Sequence, residues 1–167
     1  MNQYLGYDNI VPVLSPADIT SNDTYPAYVD LKGVNRAAFF LAIGNIHSGT
    51  AGDTETITVE AATDPAGTEA AIAFKYRQSG AAASNTWGAI TAATTSGFTM
   101  SITDDGKNAW IEIDPDALAA SDYRYVRVKI APTSASQMAN FVVGAYAFLD
   151  TKYKMTTFIS ATASASA

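Results

Sequence analysis

In Thr54-Glu55-Thr56-Ile57-Thr58-Val59-Glu60, apolar and polar residues alternate. Ile57 and Val59 fall on one face of this segment and the threonines on the other, which is typical of a β-strand with one buried face. The same alternation recurs in four further segments, residues 71–77, 98–103, 110–114 and 125–130. These segments predict antiparallel strands that each have one buried and one solvated face.

Two further segments, residues 37–46 and 140–149, are apolar on both faces. In a two-layer sandwich, one face of such a strand meets the core, and the other meets a loop, the chain's own arm or a neighbouring subunit. We therefore predict a subunit interface on the outward face, with cover by the arm as the alternative. The predicted interface residues are Phe40, Ala42, Val142, Tyr146, Phe148, Ile10, Val11, Val13 and Leu14.

Turn-forming residues separate the strands, as in Asp64-Pro65-Ala66-Gly67, which has the residue preferences of a β-turn. About eight strands at ~10-residue spacing, without crossover helices, predict an all-β fold, an antiparallel β-sandwich of jelly-roll type. One short helical turn is predicted near residues 115–120, because Asp114 can cap it and Pro115 suits the first helical position.

The chain has 167 residues, which suits one domain with extensions. We predict an N-terminal arm over residues 1–24, where Pro12 and Pro16 interrupt the pattern. The sandwich domain is expected to span residues 25–155. Residues 156–167 are mostly small, and we expect a tail that is flexible or is ordered by a partner.

The composition excludes several classes of protein chemistry. There is no cysteine and only one histidine, so disulfides, cysteine nucleophiles and a multi-histidine metal site within one chain are excluded. The net charge of −6 argues against a nucleic-acid partner. No apolar run approaches the ~20 residues of a membrane helix, and the N-terminus lacks the features of a signal peptide. We therefore expect no membrane partner and production in a cytoplasm.

Few residues are candidates for catalysis or metal binding. His47 lies in a turn-like stretch, and no Gly-x-Ser-x-Gly motif accompanies it, so we interpret it as a loop histidine. Asp104-Asp105-Gly106 and Asp114-Pro115-Asp116 cluster carboxylates without the spacing of a calcium loop, and turns explain them better. A glycoside hydrolase that uses Asp104, Asp105, Glu112 or Asp114 is the least favoured alternative. We predict no catalytic, cofactor-binding or metal-binding residues.

Two aromatic groups allow either binding or packing. A basic and aromatic patch, made of Tyr123, Arg124, Tyr125, Arg127 and Lys129, suits a nucleic-acid or carbohydrate platform, or the outer side of a strand at an interface. The net charge of −6 favours the second interpretation. The two tryptophans can stack on sugars or close the ends of the core; they are Trp87 and Trp110.

An ordered set of short sequence segments resembles small virion proteins of tailed bacteriophages. The segments include Tyr28-Val29-Asp30-Leu31-Lys32-Gly33, then Ala109-Trp110-Ile111-Glu112-Ile113-Asp114, and near the end Val143-Gly144-Ala145-Tyr146-Ala147-Phe148-Leu149. Residues 38–45, 56–67, 73–75 and 125–128 complete the set. Together they cover residues 28–150, and neither the arm nor the tail is included.

This resemblance implies a jelly-roll head decoration (cement) protein, which stabilises a capsid by bridging capsomers and is not an enzyme. The implied partners are the major capsid protein and further copies of the chain, with a trimer favoured. The implied location is the outer surface of the capsid, after synthesis in the host cytoplasm. Alternatives are a carbohydrate-binding or host-contact module with an aromatic platform, and a head–tail connector or tail component.

Overall fold

The computed structural model of the chain describes residues 9–19, 23–48, 53–81, 84–114, 118–132 and 138–152. Two antiparallel sheets pack against each other. Sheet A contains six strands, in the order β1-β11-β3-β9-β6-β7. They are β1 (Asn9–Asp18), β3 (Val34–Ser48), β6 (Phe74–Gln78), β7 (Thr91–Ala93), β9 (Ala109–Ile113) and β11 (Met138–Thr151).

Sheet B contains five strands, in the order β2-β10-β4-β5, with β8 paired to β4 beside β5. They are β2 (Val29–Asp30), β4 (Thr54–Ala62), β5 (Ala70–Ile72), β8 (Phe98–Ser101) and β10 (Tyr125–Pro132). A short 3-10 helix, η1 (Ile102–Asp104), follows β8. No helix in the described part of the chain has the length and apolar character to cross a membrane.

The chain passes between the sheets in the order of a jelly roll. Without β6, β7 and β8, eight of the eleven strands remain. When these eight are numbered from one to eight along the chain, their order is 1-8-3-6 in sheet A and 2-7-4-5 in sheet B. This is the order of a double-sheet jelly roll built from two Greek keys. The predicted all-β antiparallel sandwich is confirmed, and the described residues form eleven strands where about eight were expected.

The alternating segments supply the core between the sheets. Ile57 and Val59 of β4 are fully buried, as are Val126 and Val128 of β10, while Thr56 and Thr58 lie on the other face of β4. The segments that are apolar on both faces lie side by side in sheet A, because β3 pairs with β11. Phe39 of β3 is fully buried in the core, and its neighbours Ala38 and Phe40 therefore lie on the outer face.

Two predicted strands differ in detail from their sequence patterns. The alternation through residues 71–77 predicts one strand, but Ala73 lies between β5 in sheet B and β6 in sheet A, so the chain changes sheets there. Ile102 was expected on a buried strand face; it belongs to η1 and is 43% exposed. A period of two cannot distinguish a straight strand from one that turns a corner of the sandwich.

The predicted N-terminal arm contributes a strand to the sandwich. Residues 9–18 form the edge strand β1, which pairs with β11 despite Pro12 and Pro16. The pairing shifts register twice, between Pro12 and Leu14 and between Leu14 and Ala17. The prolines suggest irregular structure in the sequence, but an edge strand tolerates proline because only one of its sides is hydrogen-bonded.

Other predicted features lie partly outside the described residues. The turn at Asp64-Pro65-Ala66-Gly67 is confirmed, because the Gly67 amide donates to the Asp64 carbonyl at 2.9 Å. Of the predicted helical turn, Leu118 and Ala119 are helical, and residues 115–117 lie outside the described part. The predicted tail at residues 156–167 also lies outside it, as do residues 1–8 of the predicted arm.

Gly97 and Gly33 provide a test of the close approach between β4 and the turn before β8. Both have positive φ, +71° and +73° respectively, but a Cβ at Gly97 would lie 2.0 Å from the Ile57 carbonyl oxygen, whereas nothing lies within 4 Å of one at Gly33. Gly33→Ala is expected to cost about 1 kcal/mol of unfolding free energy through backbone strain. Gly97→Ala is expected to cost about 2 kcal/mol more, because the backbone must move. Urea denaturation measures both, and equal losses would contradict the close approach.

Candidate functional site

The outer face of sheet A carries a cluster of aromatic side chains. Phe40 is opposite Tyr146 in the register of β3 and β11, and opposite Trp110 in the register of β3 and β9. Residues paired in this way project from the same face of an antiparallel sheet. Phe148 lies two residues beyond Tyr146 on β11, and its side chain therefore projects from the same face. We call Phe40, Trp87, Trp110, Tyr146 and Phe148 the outer aromatic face.

The rings of this face contact one another. The ring centroids of Trp110 and Phe148 are 5.0 Å apart, and that of Phe40 lies 6.1 Å from Trp110 and 6.5 Å from Phe148. Trp87 adds an edge contact to Phe40 at 6.5 Å and remains 36% exposed. The other four side chains are half-buried. Aromatic contacts of this kind organise the surface without removing it from solvent.

Apolar residues and charges continue this face to its edges. Ile10 of β1 is opposite Phe148 and is 44% exposed. At the other side, the Arg77 guanidinium lies 5.0 Å from the centre of a Trp87 ring. Arg36 pairs with Asp150 at 3.2 Å between Nε and Oδ2. An aromatic centre surrounded by charged side chains is the usual anatomy of a protein–protein contact.

The predicted interface residues divide between this face and the core. Phe40, Ala42, Val142, Tyr146 and Phe148 are half-buried, and Ile10 is exposed. The other three differ from the prediction, because the register of β1 places them differently: Val13 is 6% exposed and belongs to the core, and Val11 and Leu14 pack against that core.

The basic and aromatic patch is neutralised by carboxylates of the same chain. Arg124 pairs with Asp30, and Lys129 Nζ lies 2.8 Å from an Asp23 oxygen. The hydrogen bond from Lys129 lowers the pKa of Asp23. Tyr123 packs against the core, and Tyr125 lies under the Arg124 guanidinium at 5.1 Å. This arrangement corresponds to the outer side of a strand more closely than to a surface for phosphates.

Arg127 lies at the centre of that patch and is 7% exposed. Its guanidinium bonds to Glu60 Oε2 at 2.9 Å from Nε and 2.8 Å from Nη2, and it approaches Glu69 at 3.4 Å. The rings of Tyr25 and Tyr28 lie 4.3 and 4.4 Å from its central carbon. Burial of both ions makes this pair structurally important, since neither charge can recover full hydration.

The carboxylates of Asp104 and Asp105 serve local structure at one end of the sandwich. Asp104 bonds to the Ser101 amide and to Lys107 Nζ, both at 2.9 Å, and Asp105 accepts from the Ile46 amide at 2.8 Å. No cluster of three or more possible metal-ligating His, Asp or Glu residues occurs in the described part of the chain. His47 is exposed at the same end of β3.

The four candidate hydrolase carboxylates divide into two separate groups. Glu112 is opposite Ala38 of β3, eight residues (46 minus 38) from Ile46, which binds Asp105. The two positions lie towards opposite ends of β3, so Asp105 is not placed beside Glu112 as a catalytic pair. Glu112 and Asp114 remain neighbours, at the rim of a cleft with a volume of about 640 Å³.

Two features were not found from the sequence. The cleft is formed by strand ends that are far apart along the chain, so no sequence motif indicates it. Glu55 is 1% exposed, and its Oε1 has no hydrogen-bond partner among the residues that the structure describes. Burial, with a smaller contribution from Asp23, raises the pKa of Glu55 to about 7. In the sequence, Glu55 falls on the same face of β4 as the apolar Ile57, and this alternation was the available signal that Glu55 is buried.

Comparisons with known protein families, curated proteins and solved structures found no match to this chain. The fold and the outer aromatic face therefore carry the functional inference.

Proposed function

We propose that this chain is a structural virion protein of a tailed bacteriophage that decorates and stabilises the capsid by bridging capsomers. The observation that carries the proposal is the outer aromatic face, where rings of Phe40, Trp110 and Phe148 pack together at the surface of a jelly-roll sandwich. A decoration protein needs a rigid body and an apolar face that meets its neighbours. The sequence resemblance to small phage virion proteins supports the same role.

In this proposal, the outer aromatic face contacts the major capsid protein or another copy of the chain, in a trimer. The net charge of −6 disfavours binding to packaged DNA and favours the outer surface of the capsid. The chain acts by burying apolar surface at many repeated sites. Burial stabilises each contact by ~25 cal/mol for every Å² of apolar surface removed from water. It needs no cofactor and catalyses no reaction.

The experiment is to measure the copy number of the protein in purified particles, relative to the major capsid protein. Wild-type protein is expected in a simple ratio to the shell subunit. Phe148→Ser is expected to weaken attachment about thirtyfold, because it removes about 2 kcal/mol of apolar contact at each site. The matched control is Ile102→Ser, since Ile102 is similarly apolar, is 43% exposed and lies in η1.

Each other outcome changes the assignment. A small fixed number of copies per particle would indicate a connector or tail component. Absence from particles would contradict a virion role. Equal loss from both serine variants would show that the outer aromatic face is not the contact.

A carbohydrate-binding or host-contact module is the second candidate. The observation in its favour is that Trp87 is exposed beside Phe40, while Arg77 packs on its ring. Aromatic faces of this kind stack on sugar rings. Tryptophan fluorescence that changes on addition of host glycans, and no longer changes in Trp87→Ala, would support this candidate.

A further inference from the structure

A cleft with a volume of about 640 Å³ opens at one end of sheet A, where β3 and β6 begin and β7 and β9 end. Four residues of the core line it, and each of them is 6 or 7% exposed: Phe74, Ala93, Ile113 and Leu118. They form the end of the core, so the floor of the cleft is apolar. A volume of this size is enough for a small ligand or for several large side chains.

Three charged side chains near the cleft are directed or bound elsewhere. Lys75 follows Phe74 on β6, and Glu112 precedes Ile113 on β9. Because successive side chains of a strand alternate between its faces, Lys75 and Glu112 project from the outer face of sheet A. Arg36 is already held by an ion pair at 3.2 Å. The occupant that fits the cleft is therefore mainly apolar.

The chain leaves β11 at this same end of the sandwich. Thr151 of β11 is opposite Val34 of β3, and the Lys152 amide then donates to the Gly33 carbonyl at 2.7 Å. Asn35, two residues after Gly33, lines the cleft. The chain that follows Lys152 therefore starts beside the end of a strand that borders the cleft.

Residues 153–159 follow Lys152, and we call them the β11 extension. Their sequence is Tyr-Lys-Met-Thr-Thr-Phe-Ile, in which four of the seven residues are apolar or aromatic. Tyr153 and Met155 alternate with polar residues, and Phe158 and Ile159 follow. Removal of such side chains from water is favourable, and the apolar floor of the cleft offers a surface for it.

The extension is long enough to reach the cleft. β11 is next to β3, and β3 is next to β9, whose end lines the cleft. Neighbouring strands lie ~4.8 Å apart, so the path from β11 to β9 is about 10 Å. Seven extended residues span up to about 25 Å. The tether also keeps the extension at a high effective concentration, which favours the cleft of the same chain over that of another copy.

We propose that the β11 extension fills the cleft of its own chain and closes this end of the sandwich. Its apolar side chains cover the end of the core, and its polar side chains face water. The segment before β1 is the competing occupant, because Asn9 is opposite Leu149 and β1 therefore begins at this end too. However, β1 lies one strand farther from the cleft than β11 does. The proposal is independent of capsid decoration.

The experiment uses a nitroxide spin label in the isotope-labelled full chain. The chain has no cysteine, so Ser160→Cys provides a single attachment site directly after the extension. The label weakens the NMR signals of amides that lie close to it. The amide signals of Ala73, Ala93 and Leu118 at the cleft are expected to lose at least half of their intensity. That of His47, near the opposite end of β3, is expected to keep it.

Two further substitutions in the labelled chain are expected to reduce this loss at least threefold. Phe158→Ser removes a large apolar side chain from the extension. Ala73→Tyr occupies the cleft from its own lining, at a position where the side chain is exposed. The matched control is Tyr4→Ser, which replaces an aromatic residue in the segment before β1 and is expected to leave the loss unchanged.

Four results would overturn the proposal. They are full intensity at the cleft in the labelled chain, an equal loss in Phe158→Ser, and a loss relieved by Tyr4→Ser in place of Phe158→Ser, which would assign the cleft to the segment before β1. The fourth comes from mixing isotope-labelled chains that lack the nitroxide with unlabelled chains that carry it. Loss of the cleft signals in that mixture would show that the extension enters a second copy.

Discussion

Arg127→Ala is expected to lower the free energy of unfolding by about 3 to 5 kcal/mol, because it leaves a buried carboxylate without its cation. Glu60 is 7% exposed, and Arg127 bonds to its Oε2 atom at 2.9 and 2.8 Å. The substitution also removes the cation that lies 4.3 Å from the ring centre of Tyr25 and 4.4 Å from that of Tyr28.

Urea denaturation followed by circular dichroism measures this loss. The double variant Arg127→Met with Glu60→Gln is expected to lose much less, since no unpaired buried charge remains. The surface control is Arg36→Ala, where the guanidinium side chain is 62% exposed and paired with Asp150. That variant is expected to lose about 1 kcal/mol at most. Similar losses in Arg127→Ala and Arg36→Ala would contradict the importance of the buried pair.

Glu55→Gln is expected to stabilise the protein at pH 8 by about 3 kcal/mol and to have little effect at pH 4. Burial raises the pKa of Glu55 in the folded chain to about 7, from an ordinary value of 4.5. Between these two values the folded state holds the proton more tightly than the unfolded state does. The wild-type protein therefore loses stability as the pH rises through this window, and glutamine removes the cost of the buried charge.

The measurement is the free energy of unfolding of both proteins from pH 4 to pH 8. The difference between them should grow with pH and level off above about 7, the pKa of the folded state. The value at pH 4 is the internal control, because both side chains are then uncharged. Parallel profiles, with one constant difference at every pH, would show that Glu55 is not the group that titrates.

Much of the fold could be predicted from local patterns. Alternation through Thr54–Ala62 and Tyr125–Pro132 identifies two strands of sheet B, because the period of a strand is a property of a few consecutive residues. The segments that are apolar on both faces lie in β3 and β11 as long strands. Strands of two or three residues, such as β2 and β7, are too short to show a period.

The site was less predictable, because it depends on register. The apolar outer residues Phe40 and Phe148 were identified from two-sided hydrophobicity, but their contact with Trp110 requires β9 to lie beside β3. The ion pair between Arg127 and Glu60 likewise requires the pairing of β10 with β4. Cross-strand neighbours are far apart along the chain, and no local pattern reports them.

The position of β11 has a consequence for how the molecule is made. This strand, the last of the described strands, lies between β1 and β3, and it pairs Leu149 with Asn9, 140 residues away (149 minus 9). Until synthesis has passed residue 151, β1 and β3 therefore lack the strand that joins them. Sheet A cannot be completed before that point, and such long-range pairing makes folding slow, on the scale of milliseconds to seconds. A product truncated before β11 would lack the strand that joins β1 to the rest of sheet A, and it would remain a substrate for proteases.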